Sequence, residues 1–127
     1  MSSRTRPSEA TTGFAKRVLV VDPDQKAWEV GARLLIAQGC LVHRISHLAD
    51  APPRWPRHLY DLVVVAAEDP PSPEIVAFCQ KLAQLQPPVR VALLASESAS
   101  LNPLVAPVIP RGRPATEIAE GIARLLG

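Results

Sequence analysis

One strongly apolar stretch decides the fold of this chain: Tyr60-Asp61-Leu62-Val63-Val64-Val65-Ala66. A short run of branched aliphatic residues with polar segments on both sides is typical of a strand that is buried on both faces. The stretch continues into an acidic loop closed by a proline, Ala67-Glu68-Asp69-Pro70. Open α/β sheets place their ligands and their chemistry at the carboxyl ends of their strands. Ala66 offers only a methyl group at that edge, so it can neither act as a nucleophile nor bind a metal ion.

Outward from this strand, the hydrophobic pattern predicts an α/β domain built on a five-stranded parallel sheet. The predicted strands cover residues 18–21, 40–45, 62–66, 89–95 and 105–109. The predicted helices cover residues 25–38, 73–85 and 115–126. Between the second and third strands, three prolines limit any helix in residues 46–58 to a turn or two. This order implies right-handed crossovers, with helices on both faces of a doubly wound sheet.

Local signals mark the ends of these elements. Asp24 is expected to cap the first helix, and Gly39 is expected to end it. Ser72, with a proline at the first helical position, predicts the start of the second long helix. Pro107 interrupts the last apolar run, so we expect an edge strand there, because proline cannot donate to a central ladder. The side chains expected to face the core are those of Trp28, Ala32, Leu34, Leu35, Ile75, Val76, Cys79, Leu82, Ala83, Ile118, Ala119, Ile122 and Leu125.

The composition is that of an ordinary globular domain. Of the 127 residues, 47% are hydrophobic and 20% are charged, and the net charge is +2. So weak a charge argues against a nucleic-acid or membrane-surface role. Residues 1–15 are expected to form a disordered tail, and residues 16–127 a single domain. Because there is no signal peptide and no apolar segment long enough to span a bilayer, we expect a cytoplasmic protein.

The cysteines and histidines predict no metal or redox site. Cys40 and Cys79 are the only cysteines, and neither has a metal-ligating residue at short spacing. We expect both to be buried, reduced thiols. His43, His47 and His58 also lack the spacing of metal ligands. No metal and no other cofactor is therefore expected.

From Lys16 to Gly127 the chain resembles a bacterial response-regulator receiver domain, a flavodoxin-like fold. Residues 18–22 resemble the family's first strand with its acidic pair, and residues 60–66 resemble its third strand. Pro70 stands where the family has a proline in the loop after its phosphoacceptor. The resemblance implies a signalling module of the two-component type.

Two further positions correspond to residues that carry the family's chemistry. Ser96 lies 30 positions after Ala66 (96 − 66), where the family has a hydroxyl residue at the end of the fourth strand. Arg111 stands near the lysine that ends the family's fifth strand. Ala66 itself occupies the position of the phosphoacceptor.

The resemblance therefore implies a phosphoacceptor pocket that is degenerate in this chain. Working receivers hold Mg²⁺ with an acidic pair and the acceptor aspartate, and a lysine neutralises the new phosphoryl group. Here Ala66 removes the nucleophile and one metal ligand, and Pro23 replaces the second acid of the pair. Asp22 alone is a poor Mg²⁺ site. Arg111 is not interchangeable with the lysine, because a guanidinium fork differs from a point charge.

The neighbouring acidic residues allow two interpretations. Glu68 lies two positions after Ala66. If the strand continued, its side chain would point to the same face as that of Ala66, about 6.6 Å further along. It is either a phosphate mimic paired with Arg111 or a solvated loop residue, and we favour the solvated residue. Asp22 and Asp24 allow two interpretations as well. They form a residual cation pocket, or one caps the helix and the other is an unpartnered acid beside Arg111, and we favour the second interpretation.

A second departure concerns the surface through which typical receivers dimerise and report their state. Only residues 97–104 are available for the family's fourth helix, and a proline lies late in this interval. We therefore expect that helix to be shortened to a single turn or absent. Leu101 and Leu104 in this interval, together with Trp55, are candidates for an interaction surface. For Trp55 we favour a ring that packs as a plug within the domain over a ring that anchors a partner protein.

These features predict a pseudo-receiver, meaning a non-enzymatic, phosphorylation-independent signalling module that acts by binding other proteins. Expected partners are a histidine kinase or other domains of the same chain, and a homodimer is compatible with the sequence. One alternative is a conventional phosphorelay response regulator that uses Glu68 or Asp69 as acceptor. Another is a small-molecule or nucleotide sensor that uses the same crevice at the sheet edge.

Overall fold

The computed structural model of the chain describes residues 16–56, 59–67, 72–95 and 107–126. Its parallel strands are β1 (Arg17–Val21), β2 (Leu41–Ile45), β3 (Leu62–Ala66), β4 (Val91–Ala95) and β5 (Val108–Pro110). Its α-helices are α1 (Ala27–Ala37), α2 (Pro73–Ala83) and α3 (Ala115–Leu126). The strands pair in the order β2-β1-β3-β4-β5. The predicted five-stranded parallel sheet is thus confirmed, with β2 and β5 at its edges.

The sheet separates two hydrophobic layers. On one face, alternate residues of the strands pack against α1 and α3, and Leu35 and Ile122 are fully buried there. On the other face, the intervening strand residues pack against α2, where Cys79 and Leu82 are buried. Because helices cover both faces, the fold is doubly wound as predicted.

The helix boundaries follow the signals in the sequence. The Asp24 carboxylate accepts a hydrogen bond from the backbone N–H of Ala27 (3.2 Å), and the Ser72 hydroxyl accepts one from the N–H of Ile75 (3.3 Å). Gly39 ends α1 with a φ of 94°. This is the left-handed conformation that favours glycine at a helix end.

Several details differ from the expectations. β5 runs from Val108 to Pro110, whereas a strand over 105–109 was expected. Its edge position explains why Pro110 is tolerated within it. Ala83, which was expected to face the core, is exposed at the end of α2, and Leu82 is the buried side chain of this last turn. Residues 1–15 and 97–104, with the predicted tail and the shortened fourth helix, lie outside the described ranges.

The crossover from β2 to β3 contains little regular structure. Within the described part of residues 46–61, it forms one 3₁₀ turn, Leu48–Asp50. This agrees with the expectation that the prolines here would permit at most a turn or two. In the described part of this crossover, no α-helix covers β2 on the side of the sheet that faces α2.

Candidate functional site

The carboxylate of Asp22, the first residue after β1, is buried and already hydrogen-bonded. Asp22 is 1% exposed. Its Oδ2 accepts a hydrogen bond from the indole Nε1–H of Trp28 (2.9 Å), and its Oδ1 accepts one from the backbone N–H of Asp24 (3.0 Å). A buried carboxylate needs such donors, because its desolvation is otherwise very costly. Asp22 is thus hydrogen-bonded within the protein and is not the unpartnered carboxylate that the sequence suggested.

Arg44, on the neighbouring strand β2, also contacts Asp22 at the end of β1. Arg44 of β2 donates from Nη1 to the backbone carbonyl oxygen of Asp22 (2.7 Å) and to the hydroxyl of Ser46 (3.4 Å). The guanidinium therefore ties the end of β1 to the end of β2.

A small cavity lies beside Asp22, on the side of the sheet that packs against α1 and α3. Its volume is about 130 Å³, and we call it the Asp22 cavity. Its polar lining comes from Asp22, Asp24 and Arg111, and Trp28 and Leu94 contribute apolar surface. The structure thus brings Arg111 and the two acids to one site, as expected from the sequence.

A second cavity lies on the α2 side of this edge of the sheet, and Ala66 is among the residues that line it. This Ala66 cavity has a volume of about 300 Å³. Its lining includes Pro23 and Ala66, together with the polar residues Ser46, His47, Ser72 and Glu74. Among the described residues that line it, Glu74 is the only carboxylate, and it belongs to the first turn of α2.

The described residues of the candidate pocket line two cavities. Pro23 and Ala66 line one cavity, whereas Asp22, Asp24 and Arg111 line the other. Asp22 and Pro23 differ because neighbouring side chains at the end of β1 point to opposite faces. The predicted site residues Glu68 and Ser96, and the alternative acceptor Asp69, lie outside the described ranges.

Sequence reasoning missed the polar lining of the Ala66 cavity. Ser46 and His47 directly follow β2, and Ser72 and Glu74 begin the helix that follows β3. The carboxyl ends of parallel strands meet at one edge of a sheet, so these positions could have been assigned to that edge. The Asp22–Trp28 hydrogen bond was also missed, because Trp28 was assigned only to the core.

Trp55 packs between Tyr60, which precedes β3, and Phe78 of α2. Its ring centroid lies 5.9 Å from that of Tyr60 and 6.1 Å from that of Phe78, with both pairs edge to face. In the described part of the chain, its buried Nε1–H has no hydrogen-bond partner. This supports the packed plug for Trp55, while Leu101 and Leu104 lie outside the described ranges.

The described residues contain no group of three or more histidine, cysteine or acidic side chains that could hold a metal ion. Cys40 and Cys79 are both free and buried, as expected. They pack on opposite faces of the sheet. Burial raises the pKa of the Cys79 thiol to about 11, and the pKa of Cys40 is raised mainly by burial. Thiols with raised pKa values are poor nucleophiles near neutral pH.

Solved structures of response regulators share this fold. The orphan response regulator HP1043 of H. pylori matches with a TM-score of 0.61 at 16% identity, covering 88% of this chain and 97% of its own. The chemotaxis response regulator CheY4 of Vibrio cholerae matches with a TM-score of 0.64 at 14% identity, covering 87% and 98%. The receiver domain of the hybrid histidine kinase CckA matches with a TM-score of 0.61 at 20% sequence identity. The match covers 87% of this chain and 99% of the CckA receiver domain.

These similarities show that the chain has the receiver fold, as its sequence suggested. No family model matches the sequence. No curated protein matches it either. In the described ranges, none of the helices combines the length and apolar character that crossing a bilayer requires.

Proposed function

We propose that this chain is a pseudo-receiver, a signalling module of the two-component type that works without phosphorylation and without catalysis. It transmits information by binding other proteins, such as a histidine kinase or further domains of a longer chain. The proposal combines the receiver fold with a site in which the acceptor position carries a methyl group.

One observation carries this proposal. The Asp22 carboxylate is buried and is held by the indole of Trp28 and the backbone N–H of Asp24. Phosphoryl transfer depends on positioning the acceptor, the metal ion and the neutralising cation around one phosphoryl group. Here Ala66 offers no acceptor oxygen, Pro23 offers no metal ligand, and the remaining acid of the pair is engaged by the protein itself.

The test is direct phosphorylation of the purified chain. We expect no gain in intact mass after incubation with acetyl phosphate and Mg²⁺. We also expect beryllofluoride with Mg²⁺ to leave the amide NMR signals around Ala66 unshifted. A mass gain of one phosphoryl group would overturn the proposal and would favour the alternative with Glu68 or Asp69 as acceptor. Replacing both acids by alanine would then identify the acceptor.

The lining of the Ala66 cavity supports a second candidate, a small-molecule sensor. At about 300 Å³ the cavity lies at the lower end of the volumes that bind small ligands, and four polar residues converge on it. A ligand at 100 times its Kd should stabilise the fold by about 2.7 kcal/mol. Thermal-shift screening with small polar molecules and nucleotides tests this candidate, and no shift with any of them argues against it.

A further inference from the structure

The outer edge of β2 has backbone groups that no strand of the described residues pairs with. β2 pairs only with β1. The N–H of Leu41 donates to the carbonyl oxygen of Lys16 (2.7 Å), and the carbonyl oxygen of Ile45 accepts from the N–H of Asp22 (2.9 Å). Backbone direction alternates along a strand. The N–H and C=O groups of Val42 and Arg44 consequently point away from the sheet.

The two edges of the sheet differ in how well they are protected. In β5, the carbonyl oxygen of Pro107 and the N–H of Arg111 bond to β4, so Val108 and Pro110 face outward. Pro110 has no N–H to donate, and the strand is only three residues long. Short edge strands and prolines are devices that prevent edge pairing. β2 has five residues, without proline and without lysine.

β2 also exposes apolar surface. Leu41 is 56% exposed. His43 is exposed on the same face, and its Nδ1 lies 2.7 Å from the hydroxyl oxygen of Tyr60. Where the crossover after β2 is described, it places no α-helix over this face. An edge strand with unpaired outward backbone groups and an exposed apolar side chain is a template for pairing with another strand.

We propose that β2 pairs antiparallel with β2 of a second copy of this chain, around a two-fold axis at His43. In this register, Val42 lies opposite Arg44 of the second copy and Arg44 lies opposite its Val42. These two hydrogen-bonded pairs make four backbone hydrogen bonds. Leu41 lies opposite Ile45 of the second copy, so the apolar residues meet across the interface. Two five-stranded sheets become one continuous sheet, with an isologous interface.

The composition of the strand selects this register. An axis at Arg44 would place two guanidinium groups directly opposite each other, which is destabilising. An axis at Val42 would place Leu41 opposite His43 and leave Ile45 beyond the paired region. Shifting the pairing by one residue would set outward-pointing backbone groups against inward-pointing ones. β2 contains no acidic residue, so charge does not favour an alternative register.

The first test is the oligomeric state of the full chain by sedimentation equilibrium. A single pair of five-residue strands is a small interface, so we expect a reversible dimer with a Kd between about 10 μM and 1 mM. A chain that stays monomeric up to about 1 mM would overturn the proposal. Residues 41–45 do not line the Ala66 cavity, so this result is independent of the phosphorylation test.

Charge substitution at the axis tests the register. His43→Asp and His43→Lys each place two like charges opposite each other, and we expect each to weaken the dimer by more than tenfold. An equimolar mixture of the two should form a one-to-one heterodimer. Unchanged dimers in both variants would overturn the proposed axis, and so would a mixture that remains monomeric. Circular dichroism confirms that each variant is folded.

Cross-linking provides a measurement that does not depend on charge. His43→Cys places two thiols in a non-hydrogen-bonded antiparallel pair, whose Cα atoms lie about 4.5 Å apart. This spacing permits a disulfide. We expect oxidation to link most of this variant as a dimer, whereas the matched control Val108→Cys, on the protected edge, should remain unlinked. Failure of His43→Cys to cross-link, or equal linking of both variants, would overturn the proposal.

Discussion

Val21 and Asp22, at the end of β1, point to opposite sides of the sheet and meet different surroundings. Val21 is buried in the layer beneath α2. Asp22 is buried on the α1 side, where the Trp28 indole and the Asp24 backbone donate to its carboxylate. A residue that resembles a metal ligand in sequence thus serves to join β1 to α1.

Removing the indole donor should destabilise the fold. In Trp28→Phe the ring is largely retained, but Asp22 loses its 2.9 Å hydrogen bond. We expect a loss of about 1–3 kcal/mol in the free energy of unfolding, measured by urea denaturation, because a buried acceptor is left under-satisfied. The matched control is Trp55→Phe, which removes an indole N–H without a partner among the described residues. An equal loss in both variants would contradict this role for Trp28.

The buried thiol of Cys79 should make stability depend on pH in the alkaline range. Burial raises its pKa to about 11, so the folded chain holds this proton more tightly than the unfolded chain. Its contribution to the free energy of unfolding is intact below the ordinary thiol pKa of about 8.5 and is lost as the pH rises towards 11. Urea denaturation between pH 8 and 11 measures this loss.

The comparison for that measurement is Cys79→Ala. Its stability should fall less steeply with pH than that of the unaltered chain. Tyr60, whose pKa is also raised mainly by burial, is present in both proteins and contributes equally. Parallel pH profiles would show that Cys79 does not cause the dependence.

At the scale of elements, α2 shows how a local signal positions part of a site. Ser72 caps the helix through its hydroxyl, and Pro73 occupies the first helical position. Both Ser72 and Glu74 then line the Ala66 cavity. The residues that start the helix therefore also form one wall of the candidate site.

Removing the cap should weaken α2. In Ser72→Ala the N–H of Ile75 loses its side-chain acceptor, and we expect a loss of about 1 kcal/mol in the free energy of unfolding. Ser72→Asp, which restores an acceptor and places a negative charge at the helix start, should recover most of the loss. Thermal or urea denaturation of the three proteins checks this order. Ser72→Ala as stable as the unaltered chain would contradict it.

The crossover between β2 and β3 shows where element-level reasoning reaches its limit. The three prolines correctly predicted that no long helix forms in residues 46–56, the described part of this segment. They did not predict that Trp55 would pack between Tyr60 and Phe78. The partners of Trp55 come from segments on either side of β3, so their meeting depends on the completed sheet.

At the scale of the whole molecule, several groups that a working phosphoacceptor site needs are missing or otherwise engaged. Ala66 and Pro23 supply no carboxylate, and Asp22 is hydrogen-bonded to Trp28 and to the backbone of Asp24. Restoring one residue should therefore not restore the chemistry. Catalysis of phosphoryl transfer requires the acceptor, metal ligands and cation to act on the same group.

We accordingly expect Ala66→Asp to remain unphosphorylated by acetyl phosphate and Mg²⁺. Pro23 supplies no carboxylate, and Asp22 is engaged by Trp28, so the new aspartate lacks partners for the metal ion. Intact mass spectrometry checks this, with Ala66→Asn as the uncharged control. A phosphoryl group on the aspartate variant but not on the asparagine variant would show that the remaining machinery is functional.

The sequence by itself determined the order of the strands and helices, the starts of α1 and α2, and the loss of the acceptor at Ala66. These follow from local periodicity, capping residues and residue identity, which act within a few positions along the chain. Only the tertiary structure decided that Asp22 faces Trp28, that Ser46 and His47 reach the Ala66 cavity, and that no strand of the described residues pairs with the outer edge of β2. Those outcomes depend on register and packing between segments distant in sequence, because a shift of one residue reverses the face to which every side chain of a strand points.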